Sequence, residues 1–213
     1  MNEQRAHPDT QSSSDWLQLQ RDPETGIESV QAHFRGHAYD AHDHDEVLVG
    51  VTLQGIQRFH CRRALHTSQP GRVILIEPGA VHDGHAPEEQ GFTYAMLYLP
   101  QAFVTTALRS RGGGDISPIL PRFRNTLTED RQLAGVIQQA FMAIHGREGR
   151  LARDLQLDCL ITHLARHVQL HSNSSRSNSP QQILRARDFL HEQMARDVSL
   201  DELACYSGID RFR

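Results

Sequence analysis

Residues 42–62 read HDHDEVLVGVTLQGIQRFHCR, and this stretch decides the fold. Val47-Leu48-Val49-Gly50-Val51 is apolar and β-branched, the composition of a strand. Leu53-Gln54-Gly55-Ile56 then supplies a glycine where the chain must turn into Gln57-Arg58-Phe59. Outward from here the same grammar repeats. Gln69-Pro70-Gly71 is a turn, Val73-Ile74-Leu75-Ile76 a strand, and Glu77-Pro78-Gly79 the turn that closes it. Thr93 to Leu99 reads as one more strand. Short strands from Trp16 to about Pro100, with no helical segment between them, predict an antiparallel barrel or sandwich.

The period changes after Glu129. Leu133, Val136, Ile137, Ala140, Phe141 and Ile144 recur at helical spacing. After Gly146-Arg147-Glu148-Gly149 the spacing resumes with Leu157, Leu160, Ile161, Leu164 and Val168. Two antiparallel amphipathic helices follow from this, each with one face to bury, either against the barrel or against a second subunit. The class is therefore α+β. Residues 171–180 are polar and serine-rich, the composition of a flexible linker.

Pro180 suits the first position of a further helix, in which Ile183, Leu184, Phe189 and Leu190 supply the apolar side. Ser199, with Glu202 three residues later, forms a capping box for another. That helix is short. Ala204 is small enough for a close helix crossing, and Gly208 tolerates the positive φ of a tight turn. The spacing is that of a helix-turn-helix, with an ordinary helical hairpin as the plainer reading. Asp210, Arg211 and Arg213 would open the second helix and are the candidate DNA-contacting residues. As surface arginines, Arg211 and Arg213 need no such role. The sequence stops after at most one turn of that helix, too little to bind DNA specifically.

Composition narrows the function. The 213 residues suffice for one good-sized domain and part of a second. With 38% hydrophobic and 23% charged residues, the chain falls in the globular range. It has no apolar run of about 18 residues to span a membrane. Residues 1–14 are polar without an apolar core, so a flexible arm is expected rather than a secretion signal. Cys61, Cys159 and Cys205 are odd in number and far apart, which fits a reducing cytoplasm better than a disulfide framework. A net charge of −4 argues against coating nucleic acid with the whole surface, although one basic element would still serve. No Gly-x-Ser-x-Gly is present, and Gly112-Gly113-Gly114 lacks the Lys-Ser/Thr of a phosphate loop, reading instead as a hinge.

In layout, the chain resembles the AraC family of bacterial transcription regulators. The resemblance runs from about Phe34 to the end and is strongest in HDHDEVLVGVTLQGIQRFHCR, PGRVILIEPGAVHDGHA and VSLDELACYSGIDRFR. It implies a flexible arm at 1–15 and a cupin-like effector-binding barrel at 16–128. It further implies a helical dimerisation or support region at 129–170, a linker at 171–180, and an incomplete helix-turn-helix domain at 181–213. The implied partners are a small polar effector, DNA in the full-length form, and a second copy of the chain. A short form that dimerises with full-length relatives is a further reading.

The 14 histidines, several of them between Asp40 and His85, call for an explanation. In a strand, His42, His44 and Glu46 would share one face. His82, after Pro78-Gly79, would come opposite them. Catalytic cupins hold Fe, Mn or Ni with His-x-His, a glutamate shortly after, and a third histidine. Glu46 follows His44 too closely for that pattern, which leaves His42, His44 and His82 as the metal set of a dioxygenase or isomerase. Two other readings stand beside it: a metal-free pocket in which imidazole and carboxylate bind a polar effector, or solvated residues at a strand end. The preferred reading is the metal-free, non-enzymatic pocket of His42, His44, Glu46, Arg58 and His82. Arg58 would pair with an anionic ligand if it points inward, and is otherwise a surface arginine. His85, Tyr94 and Trp16 are weaker candidates.

Overall fold

In the computed structural model, which describes residues 15–112, 122–169, 180–194 and 196–208, strands joined by tight turns run as far as Leu99 and helices follow. The strands are β1 (Trp16–Arg21), β2 (Glu28–Phe34), β3 (His37–His42), β4 (Val47–Gly55), β5 (Gln57–Cys61), β6 (Ala64–Ser68), β7 (Val73–Ile76), β8 (His82–His85) and β9 (Phe92–Leu99). Next come α1 (Gln101–Gly112), the short strands β10 (Arg122–Phe123) and β11 (Leu127–Thr128), α2 (Arg131–His145) and α3 (Arg150–Leu164). A 3-10 turn (Ala165–His167), β12 (Val168–Gln169), α4 (Pro180–Glu192) and α5 (Leu200–Ser207) complete the order. The described residues up to Gln169 form one compact unit, and α4 and α5 belong to another.

In the first unit, a six-stranded sheet in the order β1-β2-β9-β4-β7-β11 and a four-stranded sheet in the order β3-β8-β5-β6 make the barrel walls. Their strands pair antiparallel. The run Val47–Thr52 is buried throughout because both faces of β4 are covered. Val47, Val49 and Val51 pack with Leu97, Leu99 and Leu75 beneath the helices. Leu48 faces the other way, into a core with Phe59, Ile74, Ile76, Tyr94 and Met96. A strand buried on both sides loses hydrophobic alternation, which is why this segment reads as an unbroken apolar run. β5 does alternate: Gln57, Phe59 and Cys61 are buried, whereas Arg58 and His60 are exposed.

The paired helices cover the outer face of the large sheet. On α2, Leu133, Ile137, Ala140, Phe141 and Ile144 are buried; on α3, Leu157, Leu160, Ile161 and Leu164. These side chains share one core with Val47, Val49 and Val51, so packing on the barrel is the burial this chain provides. Each large aliphatic side chain buried there contributes about 1.5–3 kcal/mol. Asp130 caps α2 by accepting from the Gln132 and Leu133 amides, both at 2.9 Å. Arg153 pins α3 to the β1–β2 turn: its guanidinium donates to Asp22 at 2.9 Å and to Glu24 at 2.7 Å. Its side chain is only 7% exposed, so these carboxylates supply the counter-charge its burial requires.

α1 is an addition to the sequence reading, which has no helix between Pro100 and Glu129. In the second unit, Ser199 and Glu202 form the expected capping box, and Gly208 adopts φ 68° at the end of α5. Within that unit Phe189 of α4 stacks on Tyr206 of α5, with ring centroids 4.5 Å apart. The expected arm apart from Asp15, the linker at 171–179, Gly113-Gly114 of the expected hinge, and Asp210, Arg211 and Arg213 lie outside the described residues. Among the described residues no helix is long and apolar enough to cross a membrane.

Candidate functional site

Pairing of β3 with β8 sets His42 directly opposite His82. His44 reaches them from the connection after β3, not from the strand itself, and the Gly79 amide bonds its carbonyl at 2.8 Å. One ligand nitrogen from each of His42, His44 and His82 lies within 4.8 Å of the others. The His42 ring lies 4.7 Å from that of His44 and 4.6 Å from that of His82. The shared strand face expected for His42, His44 and Glu46 is thus replaced by a strand end, a connection and an opposing strand. Glu46 is half-buried outside this trio.

Hydrogen bonds decide which nitrogens are available. A backbone carbonyl can only accept, so His42 donates from Nδ1 to the Asp40 carbonyl (2.7 Å) and His82 from Nδ1 to the Ala80 carbonyl (2.9 Å). In each neutral ring Nε2 is left with a lone pair. His42 Nε2 lies 3.0 Å from His44 Nε2, a contact in which one ring donates and the other accepts. Burial pushes the His82 imidazole down to about 4. Burial, and then the neighbouring His42, lower His44 as well. Both shifts favour the neutral imidazole at His82 and His44, the form that accepts hydrogen bonds and ligates metals.

His42 and His82 line a partly open cavity of about 200 Å³ in the barrel. Its walls are largely apolar, with Phe34, Leu48, Phe59, Ile74, Ile76 and Met96 joined by Tyr94 and Tyr98. Tyr39 and Gln57 add polar groups: Gln57 Nε2 donates to the Tyr39 hydroxyl at 3.0 Å. Two glycines make this interior. A Cβ at Gly84 would stand 2.4 Å from Cζ of Tyr39, so the tyrosine ring lies where a side chain would be. A Cβ at Gly50 would stand 2.5 Å from Sδ of Met96 and 2.7 Å from the Ala95 carbonyl oxygen. Burial raises the phenols of Tyr39, Tyr94 and Tyr98, the last to about 12 with help from Glu28 and Glu46.

Of the residues singled out from sequence, His42, His82 and Tyr94 line the cavity, and His44 joins the histidine trio. Neither Glu46 nor Arg58 lines it. Arg58 points outward because strand parity sends its neighbours Gln57 and Phe59 inward, so it offers no counter-charge to an enclosed anion. His85 pairs in register with Arg58 on the four-stranded sheet, away from the cavity lining. Trp16 stacks on His33 with ring centroids 6.3 Å apart, also outside it. Gln57 and Tyr39 were not singled out. Their signal lay in parity: once Arg58 is placed outside, a glutamine at the preceding position must face in.

A small antiparallel barrel with paired histidines on the wall of its cavity defines a cupin-like binding domain. A family model described as the AraC-like ligand binding domain matches residues 24–165, and the chain belongs to that family. Among solved structures, a cupin 2 conserved barrel domain protein from Salinispora arenicola CNS-205 is 17% identical over 49% of this chain and 96% of its own, with a TM-score of 0.37. KdgF from Halomonas sp. is 16% identical over 46% of this chain and 88% of its own, with a TM-score of 0.36. AerE from Microcystis aeruginosa is 10% identical, and the alignment spans 57% of this chain and half (50%) of AerE, with a TM-score of 0.41. No curated protein matches the chain.

Proposed function

We propose that this chain is the sensor portion of a ligand-responsive transcription regulator of the AraC type, and that its cytoplasmic ligand occupies the barrel. The observation that carries this reading is a partly open cavity of about 200 Å³, lined mainly by apolar side chains together with His42, His82, Tyr39 and Gln57, in a chain of the AraC-like ligand-binding family. Effector binding would bias the placement of attached DNA-binding elements by its different affinity for their two arrangements. The helices α4 and α5, with the Ser199 capping box and the left-handed Gly208, are assigned as the opening of a helix-turn-helix. Met142, Leu151 and Leu155, exposed apolar side chains on α2 and α3, are assigned to a homodimer contact. The proposed role involves no catalytic step. To test it, the chain, with any residues encoded beyond Arg213, is mixed with a random duplex pool. Recovery of one sequence class, in an amount that changes with a small molecule binding the barrel, supports the reading. Ligand binding without any DNA selection counts against it.

The histidine trio favours a second reading, a metal-dependent cupin enzyme. The donors fit a divalent ion: His42 and His82 each give Nδ1–H to a carbonyl and keep Nε2 open, the outer-shell arrangement typical of ligating histidines. His42, His44 and His82 would hold the ion. Bound there, it would polarise an oxygen of a substrate entering the cavity. Metal analysis separates the readings. Stoichiometric Fe, Mn or Ni that disappears in a His42→Ala/His44→Ala variant favours the enzyme. Metal-free protein stabilised by a small metabolite favours the sensor.

A further inference from the structure

We propose that Gln57 and Tyr39 form a recognition pair selecting a neutral, single-ring-sized ligand that presents a hydrogen-bond donor and acceptor from one end, as a phenol or primary carboxamide does. The proposal rests on the reading of the barrel as a ligand-binding site. Gln57 is 2% exposed and lines the cavity, yet its Oε1 is buried without a hydrogen-bond partner. A buried acceptor left in that state keeps its desolvation penalty uncompensated, so the position favours a ligand that brings a donor. The other end of the amide is used, since Nε2 donates to the Tyr39 hydroxyl, which keeps its own O–H to give. Turning the amide over leaves the conclusion intact. Tyr39 then donates to Oε1, and the pair offers an amide N–H and a phenol lone pair instead. In either orientation the ligand meets one donor and one acceptor, side by side.

The remainder of the cavity selects size and charge. Phe34, Phe59 and Met96 supply apolar wall. Among the described residues no Arg, Asp or Glu lines the cavity, and Arg58 points outward. A carboxylate would be desolvated here without a fixed counter-charge. An apolar protein cavity of about 150 Å³ takes up benzene, so a cavity of about 200 Å³ accommodates a ring bearing one small polar substituent.

The test is calorimetric titration of the whole chain, stripped with chelator, using four probes: phenol, benzamide, benzoate and toluene. Toluene is the most hydrophobic of the uncharged three and would bind best in a cavity without a polar end. The expected result is that phenol and benzamide bind wild type at least about tenfold more tightly than toluene, and benzamide more tightly than benzoate. In Gln57→Leu the order inverts, with toluene ahead of phenol. Tyr39→Phe keeps the ring over Gly84 and lowers phenol and benzamide affinity by about threefold or more, which provides a test even where Gln57→Leu fails to fold. Toluene equalling phenol and benzamide in wild type, or a ranking unchanged in the variants, overturns the ligand class while leaving the barrel as a binding site. Failure of all four probes to bind wild type overturns the barrel reading as well.

Discussion

Acidification of the metal-free chain should weaken the barrel through His82. This imidazole is 4% exposed, and burial pushes it from 6.5 down to about 4, more than offsetting the bond it gives Ala80. With the folded value below the unfolded one, the stabilising contribution is complete above about pH 6.5 and is lost as pH falls toward 4. Between about pH 7.5 and 4.5 the unfolded chain takes up a proton here and the folded chain does not. Linkage gives a loss of about 2–3 kcal/mol over that interval. His44 is lowered too and adds in the same direction. Asp22, where burial is outweighed by hydrogen bonds from Thr25 and Arg153, and Asp130, held low by hydrogen bonds, lose their contributions mainly below this window. The assay is urea unfolding of chelated protein followed by Trp16, the one tryptophan, which packs on His33 in the barrel. For wild type the midpoint should fall by about 1 M between the two pH values, taking an m-value of about 2 kcal/mol/M. His82→Gln should remove most of the pH dependence whatever its baseline stability. An undiminished pH dependence in that variant would refute the reasoning.

Two further variants test the packing and the proposed dimer contact. Arg153→Met strands Asp22 in a largely buried position and should cost about 2 kcal/mol, less than a fully buried pair because Glu24 is half exposed and Thr25 also holds Asp22; an unchanged urea midpoint contradicts the anchoring role. Leu151→Glu together with Leu155→Glu should leave folding intact and convert a dimer to monomer in sedimentation velocity, and a dimer that persists removes α3 from the proposed contact.

Much of the barrel was legible because its turns are marked by glycine and proline and its inner strands are β-branched. The paired helices were legible for the same kind of reason, a stripe at helical spacing from Leu133 to Ile144 and again from Leu157 to Leu164. α1 was not. Its sequence, QAFVTTALRSRG, mixes β-branched residues with few apolar ones, and Val104 is its one side chain in the buried core. The two-residue strands β10, β11 and β12 are too short to carry any period. At the site, residue types were legible but their placement was not. Alternation gave His42 and His44 a common strand face, whereas the chain leaves the strand after His42 and the Gly79 amide holds His44 in position. The role of Gln57 is not legible in the sequence because it lies in an unmet hydrogen bond, which only packing reveals.

The most direct test of the central claim, that the barrel interior is a ligand site, is a crystal structure of the chelated chain saturated with phenol. The ring is expected between Phe34, Phe59 and Met96, with its oxygen against Gln57 and Tyr39. Phenol found elsewhere on the molecule, with the barrel interior closed by its own side chains, would contradict it.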